Sequence, residues 1–265
     1  IKLFNLIQSI FVETKFVDSN QIILDQRKIK SEHEVALMSE AAQINDRILE
    51  QVINKCTVGM TEIELAAEAE YIGRKLGADL GSATVIMAGN NTNYPAWRPS
   101  ETRIEKGDFV MIDFNPSIGH YCNDGGITVL MPGANNAKQK ALISGHKIIK
   151  EIVPKIKPNV SAQTIHDMML EKLDPLGYGK NFSPYVKGTR GVGHGVGLDV
   201  VEYPDLNSSS DFILEPGMTL AIKLDLHNLD GTGFRIEVVN LITEEGSRPL
   251  NNLIFNKDDD FTILN

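Results

Sequence analysis

Apolar residues recur along this chain at two spacings, one typical of amphipathic helices and the other of strands. Two helical segments begin at capping boxes, Ser31 with Glu34 and Thr61 with Glu64, which satisfy the free backbone N–H groups of a first turn. We predict helices over 31–52, 61–77, 136–154 and 161–177. We predict strands over 85–87, 108–113, 121–130, 218–226 and 233–243, a strand-like run at 19–24, a polar loop at 89–100 and a glycine-rich loop at 188–197.

The order of these predicted elements occurs twice. Each half contains two helices, a strand and a β-hairpin, and Glu105–Asp113 matches Glu215–Lys223 at a constant offset of 110 with three identities in nine. We therefore predict an α/β domain built from a duplicated helix–helix–strand–hairpin unit, whose hairpins join around a pseudo-two-fold axis at a central cleft. We assign residues 29–265 to this domain and residues 1–28 to a linker or to the remnant of a missing N-terminal domain.

Composition narrows the classes of function. The 265 residues include 26 basic and 35 acidic side chains, and the net charge of −9 argues against nucleic acid as a partner. No apolar run approaches the roughly 18 residues that a membrane helix needs, and nothing at the N-terminus is typical of a signal peptide. Cys56 and Cys122 are too few for a disulfide scaffold and too far apart for a zinc motif. We expect a soluble cytoplasmic protein that binds neither membranes nor nucleic acid.

Charged residues occupy matched positions in the two hairpins. Asp113 and Asp124 point inward in the first hairpin, and Lys223 and Glu237 do so in the second. Burying a carboxylate in an apolar strand is costly unless it is paired or coordinates a cation, so these positions predict a charged or metal-binding cleft. The alternative is that the hairpins lie at sheet edges and that their acids face solvent.

Four motifs occur in a fixed order along the chain. They are Ile112-Asp113-Phe114 with Asp124, Gly193-His194-Gly195-Val196-Gly197-Leu198, Leu214-Glu215-Pro216-Gly217-Met218, and Phe234-Arg235-Ile236-Glu237. Together they resemble the pita-bread metallopeptidases, a family that comprises methionine aminopeptidases, aminopeptidase P and prolidase, with creatinase as a metal-free relative. The resemblance covers about residues 28–250 and is strongest to prolidase-type Xaa-Pro peptidases without their N-terminal domain.

The resemblance implies a centre with two divalent metal ions, but one ligand position has changed. Carried over, the ligands are Asp113, Asp124, His194 and Glu237, with Lys223 where the family has a glutamate. A protonated lysine cannot ligate, and three carboxylates with one ammonium leave a charge that a single divalent ion balances. We therefore expect at most one ion, which would be Mn²⁺, Co²⁺ or Zn²⁺, held mainly by Asp113, Asp124 and Glu237, with Lys223 in place of the other ion.

Two further positions depart from the prolidase-type pattern. Ala96 and Val201 stand where those enzymes have substrate-binding histidines, whereas Glu202 and Pro204 keep the pattern. Removing a transition-state hydrogen bond typically costs ~10²–10³ in rate, so we do not expect efficient Xaa-Pro cleavage by the usual mechanism. We predict that the catalytic residues are His194, which would orient the substrate or carry a proton, Lys223 and Glu202.

Three more residues are candidates for substrate binding. His227 lies two residues beyond Asp225 and four beyond Lys223 on one predicted strand, so the three side chains share a face. His227 would take over proton transfer or metal ligation, unless it is a surface or loop-end histidine. Trp97 and Arg98 would line the pocket, with Arg98 holding a carboxylate, unless they only pack within the loop and face solvent.

Three functions remain open at this point. The first is an Xaa-Pro peptidase-like, metal-dependent hydrolase that cleaves an amide or related C–N bond of a small molecule or short peptide. The second is metal-free hydrolysis in the manner of creatinase, with Lys223 as the resident cation and His194 as the acid–base. The third is an inactive relative that uses the inherited cleft to bind a peptide or protein. A homodimer is compatible with each.

Overall fold

The computed structural model describes residues 2–182 and 191–264, so the first part of the predicted glycine-rich loop at 188–197 lies outside the described residues. A 3-10 helix covers Gly89–Asn93 within the predicted polar loop. The α-helices are α1 Lys2–Ile10, α2 Asn20–Lys28, α3 Glu32–Lys55, α4 Glu62–Lys75, α5 Asn136–Ile152 and α6 Ala162–Leu173. The strands are β1 Asp79–Leu80, β2 Val85–Ala88, β3 Phe109–Phe114, β4 Pro116–Ile118, β5 Tyr121–Cys122, β6 Gly125–Leu130, β7 Gly193–Gly195, β8 Glu202–Leu206, β9 Thr219–Leu229, β10 Thr232–Ile242 and β11 Ser247–Pro249.

The strand order has the predicted two-fold character. Within the described residues, the large antiparallel sheet runs β2-β3-β6-β10-β9-β7-β8, and β11 adds to β10. The first three strands belong to one half of the chain and β10, β9 and β7 to the other, so the two halves meet where β6 pairs with β10. A small sheet of β1, β4 and β5 interrupts the first predicted hairpin. The predicted α/β fold with a duplicated unit is confirmed.

The turns that precede β3 and β9 show that the repeat extends to backbone geometry. Gly107 has φ +79° and Gly217 has φ +87°, a left-handed conformation that glycine adopts without steric cost. In the first turn Asp108 N–H donates to the Glu105 carbonyl at 3.3 Å, and in the second Met218 N–H donates to the Glu215 carbonyl at the same distance. The offset of 110 therefore corresponds to equivalent structural positions.

The helices form and pack as their sequences predict. Ser31 and Thr61 accept hydrogen bonds from the backbone of Glu34 and Glu64, and both capping boxes are complete. The buried face of α3 covers the sheet with residues at helical spacing, among them Ala41, Ile44, Ile48 and Val52. On α5, a Cβ at Gly145 would lie 2.6 Å from the Phe234 ring, so glycine allows this helix to approach β10 closely.

The strand-like run at 19–24 is a wrong prediction, and the predicted glycine-rich loop contains strand β7 at Gly193–Gly195. Residues 19–24 belong mostly to α2, in which the Gln21 amide donates to Asp25 at 3.1 Å, an interaction typical of residues four apart on one helix face. The apolar residues of α1 and α2 are not buried, so packing within a sheet does not stabilise an extended conformation here. The assignment of residues 1–28 to a linker stays a prediction.

Candidate metal and substrate site

The sheet register places the charged residues of both halves in one row. Asp113 on β3 pairs with Gly126 on β6, Gly126 pairs with Glu237 on β10, and Glu237 pairs with Lys223 on β9. Residues paired across antiparallel strands point to the same face of a sheet, so three charged side chains converge from three strands. They are buried at the centre of the sheet, and the alternative of edge strands with solvent-facing acids is therefore wrong.

His194 enters this row from β7, the strand next to β9. A Cβ at Gly193 would lie 1.9 Å from the Ala221 carbonyl oxygen, so only glycine lets β7 lie this close to β9. His194 Nδ1 lies 3.0 Å from the Gly195 carbonyl oxygen, which can only accept a hydrogen bond. Nδ1 therefore carries a proton, and in the neutral ring Nε2 presents its lone pair.

Two carboxylates face that lone pair. His194 Nε2 lies 3.2 Å from Asp124 Oδ2 and 3.8 Å from Glu237 Oε1, and the three side chains are buried. Their ligand atoms lie within 4.8 Å of one another. A lone pair and two carboxylates repel each other in a site of low dielectric constant unless a proton or a metal cation lies between them.

The donor set fits a divalent ion. Glu237 Oε1 and Asp113 Oδ1 are buried oxygens without a hydrogen-bond partner among the described residues, which is costly unless they bind a cation. One imidazole with carboxylate oxygens suits Mn²⁺, Co²⁺ or Zn²⁺. The sequence-based prediction named Asp113, Asp124, Glu237 and His194 as ligands, with the ion held mainly by the three carboxylates. The geometry brings His194, Asp124 and Glu237 within ligating distance of one another, and metal binding by Asp113 stays a prediction.

Arg235 accounts for the position of Asp113. Its Nη1 donates to Asp113 Oδ2 at 2.8 Å, while Nε and Nη2 donate to the two oxygens of Asp225 at 2.7 and 2.9 Å. Nη2 also donates to the Pro95 carbonyl at 2.7 Å, which ties the polar loop to the sheet. Sequence reasoning assigned no role to Arg235 or Asp225, although Arg235 stands inside the motif Phe234–Glu237.

Burial and charge perturb the carboxylates of the site in different directions. Burial, with repulsion from Asp124, raises the pKa of Asp113 and raises that of Glu237 well above its usual value. Burial also opposes ionisation of Asp225, but the guanidinium of Arg235 outweighs it and lowers the pKa of Asp225. Asp225 and Arg235 therefore form a permanent ion pair, while Asp113 and Glu237 stabilise a proton or a cation.

A cavity of about 260 Å³ opens over this row. Ala96 and Val201 lie in its wall, so the two positions that lack histidines do face the site. The charged groups in the wall, apart from His194, are four carboxylates and two cations with a formal sum of −2. These groups are Asp113, Asp124, Asp225, Glu237, Lys223 and Arg235. A single divalent ion would balance that charge.

Glu202, the third predicted catalytic residue, does not line this cavity. Its carboxylate is buried on β8, where it contacts Arg27 Nη2 at 2.5 Å and Lys30 Nζ at 3.3 Å and accepts the Asp199 N–H at 3.1 Å. These contacts join the N-terminal helices to the sheet. They give Glu202 a structural role, and a catalytic one stays a prediction.

The predicted substrate-binding residues also lie away from the cavity wall. Trp97 and Arg98 are exposed, and the Trp97 ring packs against Tyr94 with centroids 5.8 Å apart. His227 is buried, so the alternative of a surface histidine is wrong, but its Nδ1 lies 3.0 Å from the Asn93 carbonyl oxygen at the end of the 3-10 helix. Substrate binding by these three residues stays a prediction.

Comparison with known proteins places this geometry in a family. The model of metallopeptidase family M24 matches residues 36–244. The chain belongs to this family. The Xaa-Pro dipeptidase of Pyrococcus horikoshii is 32% identical over 241 residues, which are 89% of this chain and 66% of that protein. The chain thus spans slightly less than two thirds of that relative.

Solved structures of the family have the same fold. The prolidase from Pyrococcus furiosus superposes with a TM-score of 0.82 at 30% identity over 88% of this chain and 67% of that one. The X-Pro aminopeptidase from Thermotoga maritima MSB8 superposes with a TM-score of 0.90 over 100% of this chain and 72% of that one, at 24% identity. The pita-bread fold predicted from the four motifs is confirmed. None of the helices in the described part of the chain has the length and apolar character of a membrane span.

Proposed function

We propose that this chain is an Xaa-Pro peptidase-like hydrolase that cleaves an amide bond of a small substrate with one divalent metal ion. The observation that carries the proposal is the lone pair of His194 Nε2, which faces the carboxylates of Asp124 and Glu237 at 3.2 and 3.8 Å. The similarity to Xaa-Pro dipeptidases supports the substrate class. The formal charge of the cavity wall supports the number of ions.

Asp124, His194 and Glu237 would hold the ion, and the Gly195 carbonyl would keep the His194 ring in its ligating tautomer. When bound, the ion would polarise the scissile carbonyl and lower the pKa of a coordinated water. Asp113 would accept a proton at Oδ1, because Arg235 occupies its other oxygen. Burial keeps bulk water away from this oxygen and raises the pKa of Asp113, which suits a proton acceptor.

Lys223 would replace the second ion of the family as a fixed cation. Its Nζ lies 3.7 Å from Glu237 Oε1, on the opposite side of the sheet row from Asp113. Because the histidines expected at 96 and 201 are absent from the cavity wall, turnover of Xaa-Pro substrates would be slow compared with a complete site.

Metal stoichiometry tests the proposal directly. We expect one ion per chain by plasma mass spectrometry after the protein is incubated with Mn²⁺, Co²⁺ or Zn²⁺ and desalted. His194→Ala should lose it, because it removes a ligand, whereas Asp225→Asn should retain it. Lys223→Glu should bind two ions, since it converts an ammonium into a carboxylate at the altered ligand position. Two ions in the unaltered chain would disprove a single-ion site.

Activity is measured on the same samples. We expect the one-ion protein to release proline from an Xaa-Pro dipeptide such as Ala-Pro, and the rate to fall at least ~10²-fold in Asp113→Asn, which cannot accept the proton. Release of proline by the metal-free protein would instead favour creatinase-like chemistry. Binding of the dipeptide without any turnover would favour an inactive, peptide-binding relative.

A further inference from the structure

The Lys223 ammonium lies in the cavity wall without a hydrogen bond to any residue that the structure describes. The side chain is 92% buried. Its Nζ lies 3.7 Å from its ion-pair partner Glu237 Oε1, which is beyond hydrogen-bond distance. An ammonium group has three N–H donors, and leaving them unused in a buried site is costly. The three donors are therefore available to a ligand.

The other cation in the wall is largely engaged by the protein. Arg235 donates to both oxygens of Asp225, to Asp113 and to the Pro95 carbonyl, which uses four of its five N–H groups. Among the residues described for this wall, Lys223 is thus the cation whose side chain makes no hydrogen bond. It is the cation best placed to bind a negatively charged group that enters the cavity.

The rest of the cavity sets the size and polarity of the ligand. Its volume of about 260 Å³ is below the ~300–1,000 Å³ of pockets for drug-sized molecules, so it accepts a small molecule or one end of a short peptide. The cavity wall also includes five apolar residues, and small or branched side chains stand at the two positions where histidines would narrow it. These residues are Val85, Pro95, Ala96, Val200 and Val201.

We propose that Lys223 determines substrate specificity by binding the carboxylate of a small substrate whose apolar part lies against Ala96 and Val201. This inference rests on the proposed function, because it assigns the substrate class to the same cavity. A charge-assisted hydrogen bond inside a buried site discriminates strongly between a carboxylate and its uncharged amide. The selected substrates would be molecules of about the size of an N-acyl amino acid or a dipeptide with a free carboxylate.

The experiment compares two probes of nearly the same shape, N-acetylproline with a carboxylate and N-acetylprolinamide with an uncharged amide, by isothermal titration calorimetry on the full chain. Chelator-treated protein is measured first, and Mn²⁺-loaded protein second. We expect the unaltered chain to bind the carboxylate about tenfold or more tightly than the amide, with or without the ion. Lys223→Met should lose this preference, and Lys223→Arg should retain most of it.

Controls separate Lys223 from other sources of positive charge. Lys106→Met removes an exposed lysine outside the cavity and should leave the preference unchanged. Loss of the preference in Arg98→Met instead of Lys223→Met would overturn the proposal and place the carboxylate at the loop. A preference that survives in Lys223→Met and appears only with Mn²⁺ would also overturn it, because the ion would then hold the carboxylate.

Two further readouts keep this test independent of folding and of turnover. Thermal unfolding verifies that each variant is folded, and Lys223→Gln replaces the methionine variant if that one is not. Carboxylate preference without hydrolysis of Ala-Pro would refute the proposed function and leave the role of Lys223 intact. Hydrolysis of Ala-Pro without any carboxylate preference would support the proposed function and refute the role of Lys223.

Discussion

Single residues distinguish this chain from what its family resemblance implies. A glutamate at position 223 would bring a carboxylate to the cavity, whereas Lys223 brings an ammonium 3.7 Å from Glu237. Ala96 and Val201 lie in the same wall, so all three departures concern one cavity of about 260 Å³. The altered positions change charge and hydrogen bonding while the buried framework of Asp113, Arg235 and Asp225 stays complete.

Restoring the two histidines should therefore raise activity. We expect the double variant Ala96→His with Val201→His to increase kcat/KM for Ala-Pro by ~10²-fold, because both positions face the cavity and a transition-state hydrogen bond is typically worth that much. Steady-state kinetics at a fixed Mn²⁺ concentration measures kcat/KM for both proteins. Ala137→His, an exposed substitution on α5, is the matched control. An unchanged rate in the double variant would mean that Lys223, and not the missing histidines, limits catalysis.

At the scale of elements, the polar loop is held to the sheet by a helix. Glu62, in the first turn of α4, is fully buried. Its Oε1 accepts from the Ala88 N–H at 2.7 Å and from the Asn91 amide at 2.9 Å, and its Oε2 accepts from the Ser100 N–H at 2.9 Å and hydroxyl at 2.7 Å. One carboxylate thus fixes both ends of the segment that brings Pro95 and Ala96 to the cavity.

Removing that carboxylate should release the loop. We expect Glu62→Ala to lower the free energy of unfolding by about 3 kcal/mol, since it leaves several buried donors unpaired. Hydrogen exchange should show the Ser100 amide losing its protection. Glu64→Ala, which removes only the capping interaction on the same turn, should cost about 1 kcal/mol and leave Ser100 protected. Equal exchange at Ser100 in both variants would contradict the anchoring role.

At the scale of the whole molecule, the C-terminal segment packs against α5 through a buried histidine. His146 on α5 lies 3.1 Å from Thr262 Oγ1 and packs against the Phe261 ring. Burial, followed by repulsion from Lys150, lowers its pKa to about 4, although Asp259 acts in the opposite direction. An unfolded chain therefore binds a proton at this position near pH 6.5, while the folded protein does not until near pH 4.

This difference predicts a loss of stability in acid. Between pH 6.5 and pH 4 the unfolded state holds more protons, so the free energy of unfolding falls as the pH falls through that window. We expect His146 to contribute a decrease of about 2 kcal/mol between pH 7 and pH 5. Urea unfolding of the unaltered chain and of His146→Gln at both pH values tests it. The variant should be less sensitive to acid, and an identical decrease in both proteins would contradict the assignment.

The sequence by itself determined most of the framework. Helix starts are local, because a capping box needs only residues three apart, and the ones at Ser31 and Thr61 are where the sequence predicts them. The duplicated order and the offset of 110 predicted that Asp113 and Lys223 occupy equivalent strands, which the sheet confirms. The residues of the candidate metal site, Asp124, His194 and Glu237, were all named from motifs.

The tertiary structure decided which of these groups act on one another. The row of side chains exists because Gly126 pairs with both Asp113 and Glu237. The pairing with Glu237 joins strands more than a hundred residues apart, a register that no local pattern specifies. The same register gave Arg235 its partners and placed the Lys223 ammonium 3.7 Å from Glu237, without a hydrogen bond to a described residue. Glu202 meets Arg27 and Lys30 because the segment that carries them packs against β8. Sequence periodicity selects the face of an element on which a residue lies, whereas the partner that it meets there depends on how distant elements pack.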